Sequence, residues 1–271
     1  MAQAPNPLPF SGIGYRYGLS QPTQVLTLSL QLPPAQKGAA QRIDDWLRHA
    51  LDMELEADPM PVTAPGVQLA QGAGQLAWRT LLLAGELLRI LRVPAFDPGC
   101  ILSLQAERGK PGAWRLTAAV PLIELLPRAV YQPAFSIATR VVPWMLQTPR
   151  TPSSTQALYG QLTQKLLDPL KDGIPAGKST IPILEAAHAQ RVPFRPLGGG
   201  IYQLGWGSRA IRIDRSSTEL DAALGSKLAQ NKQWAASLVN AAGLPGPRHH
   251  LVRSRDEALA AAARLGWPVV V

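Results

Sequence analysis

The amino-acid sequence predicts an α+β fold: an N-terminal α+β domain over residues 1–165, followed over residues 166–271 by a segment leading into the truncated beginning of an α/β domain. Three observations predict it. Thr23 to Leu32 alternates apolar and polar residues with the period of a half-buried strand. Residues 41–57 and 76–93 carry apolar side chains at helical spacing. Gly225 to Val271 reads as helix, Pro/Gly turn, strand, helix, strand.

The first strand places Leu26, Leu28, Leu30 and Leu32 on one face and Thr27, Ser29 and Gln31 on the other, and Pro33-Pro34 ends it. From Gln41 to Ala57, Ile43, Trp46, Leu47, Ala50 and Leu51 form an apolar stripe. Asp44, Asp45, Asp52, Glu54 and Glu56 fall mostly on the opposite side, as on an amphipathic surface helix. Leu76 to Val93 is the most apolar long stretch, but it contains Arg79, Glu86, Arg89 and Arg92 and is short of the ~20 apolar residues that cross a bilayer. It reads as a buried helix, and no membrane partner is expected.

Cys100 to Ala106 and Trp114 to Val120 are apolar-rich runs joined by Glu107-Arg108-Gly109-Lys110-Pro111-Gly112, which has the composition of a hairpin loop. Prolines at 127, 133, 143 and 149 argue against a long regular helix and mark a boundary region. Helical patterning resumes over Thr155 to Leu167 and Thr180 to Gln190, and short strands follow at Ile201 to Leu204 and Ala210 to Ile213.

In the terminal unit Asn231-Lys232 precedes a helical pattern continued by Trp234, Leu238 and Val239, and Gly243 caps its end before Leu244-Pro245-Gly246-Pro247. A strand is expected at His249 to Val252, then a helix capped by Ser254 and closed by Gly266, then a strand from Trp267. Pro268-Val269-Val270-Val271 sits inside that apolar strand, so a larger α/β unit is expected beyond it.

Composition bounds the rest. The 271 residues, 46% hydrophobic and 17% charged, describe a core-forming chain of one large or two ordinary domains. A single cysteine, Cys100, excludes an internal disulfide, and MAQAPNPLPF lacks the charged and apolar regions of a secretion signal, so a cytoplasmic location is expected. A net charge of +9 favours anionic partners, yet the basic residues are dispersed and nucleic acid is not expected.

Gly173-Ile174-Pro175-Ala176-Gly177-Lys178-Ser179 looks like a phosphate-binding loop, but such a loop needs four residues between its glycines and a buried strand before it, whereas here there are three and Asp168-Pro169-Leu170-Lys171-Asp172 is polar. Ser179 or Thr180 as a helix cap, with Pro182 in the first turn, is the better reading. His249 and His250 lack a Cys, Asp or Glu at ligand spacing, so no metal site is assigned, and no Ser-His-Asp or Cys-His set can be assembled locally; the catalytic residues stay unassigned.

Several segments together resemble the approach to, and opening of, the ATP-grasp domain of cyanophycin synthetases. They are Lys178-Ser179-Thr180 through Ile183-Leu184-Glu185-Ala186-Ala187, Arg191-Val192-Pro193, Gln203-Leu204-Gly205-Trp206-Gly207 and Arg212-Ile213, followed by Asn231-Lys232, Ala242-Gly243-Leu244-Pro245-Gly246-Pro247 and Pro268-Val269-Val270-Val271. The resemblance covers about the last hundred residues; Asn231 stands where Asp is commoner. It implies an ATP-dependent carboxylate–amine ligase using ATP and Mg, with amino acid and acidic peptide substrates, and a polymer-associated domain over residues 1–165. It also implies that Lys232 lies near the nucleotide phosphates, against the plainer reading of a solvated helix lysine. Residues 1–271 alone are expected to be inactive. A non-enzymatic module binding an anionic polymer or partner, or another ATP-grasp peptide ligase, are the alternatives. Oligomeric state is not readable.

Overall fold

A computed structural model describes residues 14–15, 18–33, 37–170 and 179–270. Its α+β architecture divides into two compact units, residues 1–216 and 217–271. Residues 166–216, which the sequence groups with the terminal segment, belong to the first of these.

The first unit is built on an antiparallel sheet of β1 (Thr23–Gln31), β2 (Cys100–Ala106) and β3 (Ala113–Pro121) in the order β1, β3, β2. The alternation of β1 is realised: Leu26, Leu28, Leu30 and Leu32 are buried, and Leu26 and Leu28 pair with Ala118 and Leu116 across the ladder. The β2–β3 connection is the expected hairpin. Its Gly112 adopts φ +77° and its carbonyl accepts from Leu32 N at 2.8 Å; a Cβ there would sit 2.8 Å from the Leu32 carbonyl oxygen, so only glycine fits. The free edge of β2 is covered by loop backbone, with Ile101 N donating to Val62 O at 2.8 Å and Ala64 N to Ile101 O at 3.0 Å.

Three helices fill the core beside this sheet: α1 (Ala39–Ala50), α2 (Gln71–Ile90) and α3 (Tyr131–Gln147). α1 ends seven residues before the expected Ala57, because Asp52 turns into the left-handed region at φ +54° and the chain leaves the helix. Glu54 and Glu56 therefore lie on a loop. Asp44, expected on the outer side, is buried beside Arg79. α2 is the expected buried helix, and among the described residues no helix is long and apolar enough to cross a membrane.

α3 corrects the proline reading. It runs for 17 residues with Pro133 in its first turn, where no intrahelical N–H is needed, and Pro143 in its interior. Burial of Phe135, Ile137, Val141, Val142 and Met145 against the core outweighs the lost hydrogen bond. Next come α4 (Pro152–Leu162), closed at its start by a Thr151–Ser154 capping box, a π-helical turn (Thr163–Leu167) and the short α5 (Asp168–Leu170).

The glycine-loop look-alike falls mostly on residues 171–178, outside the described residues. α6 (Thr180–Ala189) follows, and its N-cap Ser179 makes no side-chain capping bond, contrary to the expected cap. Strands β4 (Phe194–Gly198), β5 (Ile201–Leu204) and β6 (Ile211–Asp214) form an antiparallel meander; β4 was not anticipated because Pro196 interrupts it. Phe194, Tyr202 and Ile213 share one face of this meander and are buried in the core.

The second unit holds the two-residue β7 (Ser217–Thr218) and helices α7 (Ala223–Gln230), α8 (Lys232–Ala241) and α9 (Arg255–Leu265). α8 and α9 agree with the sequence reading, which did not separate α7 from α8, but the strands expected at 249–252 and from 267 are irregular chain as far as residue 270. A strand needs a hydrogen-bonding neighbour, and the described residues of this unit supply none for either segment.

Candidate functional site

Asn231 links α7 to α8 in extended backbone, and its Oδ1 accepts from Trp234 N at 3.0 Å. The next residue, Lys232, therefore stands exposed in the first turn of α8, where the helix presents its positive dipole end. At the far end Gly243 adopts φ +70°, and Leu244 N donates to Val239 O at 3.1 Å, turning the chain back. That return lays Pro247, His249, His250 and Leu251 beside Lys232, Gln233 and Ala236 around an open groove of about 350 Å³.

The sequence-predicted Lys232 is thus joined by the two histidines, which sequence reasoning had assigned to a strand. One ammonium, two imidazoles and a helix start at the groove make a setting suited to an anion such as a phosphate. The local signal for this was the Ala242-Gly243-Leu244-Pro245-Gly246-Pro247 turn, which could have shown that the histidines double back along α8. Among the described residues no group of three or more His, Cys, Asp or Glu side chains could hold a metal ion.

A second polar cluster, in the first unit, escaped the sequence reading. Ser20 Oγ donates to Asp97 at 2.9 Å to Oδ1, and lies 2.9 Å from His188 Nε2. His188 Nε2 is itself 3.0 Å from Asp97 Oδ1, and Gln21 N donates to Asp97 Oδ2 at 2.7 Å. These residues come from the approach to β1, the approach to β2, and α6. With separations of 77, 91 and 168 residues, no local pattern could reveal them.

The cluster contains a serine, a histidine and an aspartate, but not in the arrangement for nucleophilic attack. A general base takes the serine proton on one ring nitrogen while the carboxylate orients the other. Here one nitrogen, Nε2, faces both Ser20 and Asp97. Burial pushes the Asp97 carboxyl up, but the hydrogen bonds from His188, Gln21 N and Ser20 outweigh it, leaving the group below its ordinary value. The neighbouring cavity, lined in part by Tyr15 and Arg191, measures about 40 Å³. This cluster is a hydrogen-bonded knot tying α6 to the loops before β1 and β2.

No protein-family model matches the chain. It is 31% identical over 180 residues to a protein called cyanophycin synthetase from Geminocystis herdmanii (strain PCC 6308), an alignment covering 63% of this chain and 20% of that protein. The chain spans about a fifth of the length of the relative it matches, and the likeness is a distant relation to a synthetase.

Proposed function

We propose that this chain is the N-terminal part of an ATP-dependent carboxylate–amine ligase of the cyanophycin synthetase kind, and that the groove at Lys232 receives the phosphate end of ATP. The observation that carries this reading is the convergence of Lys232, His249 and His250 at the start of α8. The distant similarity to a synthetase supports it from a separate direction.

ATP, when bound, supplies the phosphoryl group that converts a carboxylate into an acyl phosphate open to attack by an amine. The Lys232 ammonium would hold the phosphate oxygens and offset negative charge as it develops, a role for a cation held on a rigid helix end. Gln233 offers an amide at the same edge of the groove. The groove at Lys232 offers donors to the anionic end of the nucleotide, but among the described residues no group of three or more His, Cys, Asp or Glu could hold Mg, so the ligands of Mg are not assigned to this segment.

Exposed apolar side chains in the terminal unit are consistent with a piece of a larger domain. Trp234, Leu238, Leu251 and Leu259 are all exposed, while Ala261 and Ala262 are its buried apolar residues among those described. In this reading residues 1–165 form the polymer-associated domain, residues 166–271 lead into the ATP-grasp domain, and amino acids and an acidic peptide are the substrates.

The test is ADP formation by the full-length gene product with candidate amino acids and peptides. Amino-acid-dependent ADP release, reduced about tenfold or more by Lys232→Gln, is the expected result. The 271-residue segment alone should release none. ADP release by the full-length protein that is indifferent to Lys232→Gln would remove Lys232 from the site.

A further inference from the structure

The three-stranded sheet of the first unit has two outer strands, β1 and β2, and they are finished differently. The register of β2 shifts between Ile101 and Ser103, and backbone at Val62 and Ala64 covers its free edge. β1 runs nine residues in unbroken register with β3, and Thr23-Gln24-Val25-Leu26-Thr27-Leu28-Ser29-Leu30-Gln31 holds no charge and no proline. Charges, prolines, bulges and covering backbone keep an exposed edge from pairing with a further strand. Among the described residues, β1 has none of these between Val25 and Ser29.

The alternation of an antiparallel ladder decides which backbone groups face outward. Leu122 N donates to Pro22 O at 2.7 Å and Leu32 N to Gly112 O at 2.8 Å, at the two ends of the β1–β3 register. The even-numbered residues of β1 therefore bond to β3, and the odd-numbered ones turn their N–H and C=O away from it. Thr23 N is taken, donating to Gly14 O at 3.2 Å. Among the described residues, no backbone hydrogen bond from another segment meets the outward groups of Val25, Thr27 or Ser29. Val25 and Thr27 are half-buried and Ser29 is exposed, so this edge reaches the surface.

We propose that β1 pairs antiparallel with β1 of a second copy of this chain, about a two-fold axis at Thr27. The inference does not rest on the ligase reading, since the edge lies in the first unit and uses none of the residues around Lys232. Symmetry selects the occupant. The three residues with outward groups are spaced evenly about Thr27, so Thr27 faces Thr27 of the second copy and Val25 faces its Ser29, each pair exchanging two hydrogen bonds. On the core side Leu26 meets Leu28 of the second copy, and no like charges are opposed along the strand. A two-fold contact requires this match of a surface with itself. One short strand from each copy makes a small interface, so the dimer is of the weak, reversible kind.

The experiment is sedimentation equilibrium of the 271-residue chain from about 1 to about 500 μM, where a weak dimer forms progressively. Thr27→Pro removes an outward N–H without breaking a bond to β3, and Thr27→Lys sets two ammonium groups against each other across the axis. Each should weaken dimerisation about tenfold or more, while Gln105→Lys on β2 should leave it unchanged. Thermal melts by circular dichroism check that the variants fold, and Thr27→Lys serves should the proline variant melt early. Thr27→Cys should form an intermolecular disulfide on mild oxidation, because directly opposed residues bring their Cα atoms to about 5.5 Å. Gln105→Cys should not. Association that both Thr27 variants leave untouched, or a Thr27→Cys chain that does not crosslink, would overturn the proposal. So would a chain that stays monomeric throughout, and dimerisation gained by removing residues 1–13 would then assign the edge to the chain's own N-terminus.

Discussion

Arg79 shows how far one residue can depart from its type. It is fully buried in α2, with Nε 2.9 Å from Asp44 Oδ1 and Nη2 2.7 Å from Asp44 Oδ2, while Nη1 donates to Pro59 O at 3.2 Å and to the Gln75 side chain. The pair fastens α1 and the loop at residue 59 to α2. Removing one partner strands the other charge in a dry interior, so Arg79→Leu should cost about 3–5 kcal/mol in urea unfolding, whereas Asp44→Leu/Arg79→Leu should lose less than the single change. A single variant within about 1 kcal/mol of wild type would contradict this.

Asp97 sets a pH dependence at the same scale. Its carboxyl titrates below its value in the unfolded chain, about 3.9, because three hydrogen bonds outweigh the effect of burial. A depressed carboxyl contributes stability that is present above the unfolded value and is lost as pH falls through the folded one. Stability should therefore drop more steeply below about pH 4 in the wild type than in Asp97→Asn, measured as urea midpoints across the acid range. Parallel curves would mean that the Ser20–Asp97–His188 knot adds nothing to acid sensitivity.

At the scale of the element, caps and packing divide the control. The start of α8 was legible because Asn231 is a capping residue three positions before an apolar stripe, and its side chain does accept from Trp234 N. Asn231→Ala should lower the protection of the first α8 amides against hydrogen exchange by about 1 kcal/mol, with α3 amides unchanged. α3 was not legible, because the sequence does not show that Pro133 falls in a first turn, where it is tolerated, or that burial of the core face overrides the break at Pro143. α1 erred the other way. Its periodicity continues in sequence past Ala50, but the left-handed Asp52 diverts the backbone.

For the whole molecule, apolar burial is unevenly shared between the units. The first has a continuous core from Leu26 to Ile213, whereas the second leaves Leu220, Leu224, Trp234, Leu238 and Leu259 exposed. A segment burying so little cannot offset the entropy of ordering its chain. Expressed separately, residues 1–216 should unfold cooperatively on heating, and residues 217–271 should show no cooperative transition and should bind a hydrophobic dye. A sharp melt for residues 217–271 would show that its helices stabilise one another without further chain.

The α+β class, the strand at residues 23–31, the β2–β3 hairpin, the buried α2 and the capped α8 and α9 were determined by sequence alone, because each is written in local periodicity, turn chemistry or a cap. Lys232 was named on the resemblance of its segment to the opening of an ATP-grasp domain, not on periodicity or a cap. Tertiary structure alone decided the burial of Asp44 with Arg79, the union of Ser20, Asp97 and His188, the persistence of α3 through its prolines, and the return of His249 and His250 to Lys232. It also decided that the expected terminal strands stay irregular, since a strand exists through the neighbour it pairs with. These features depend on which distant side chains meet and on how much surface they bury together, and such long-range energies outweigh the local preferences that a sequence displays.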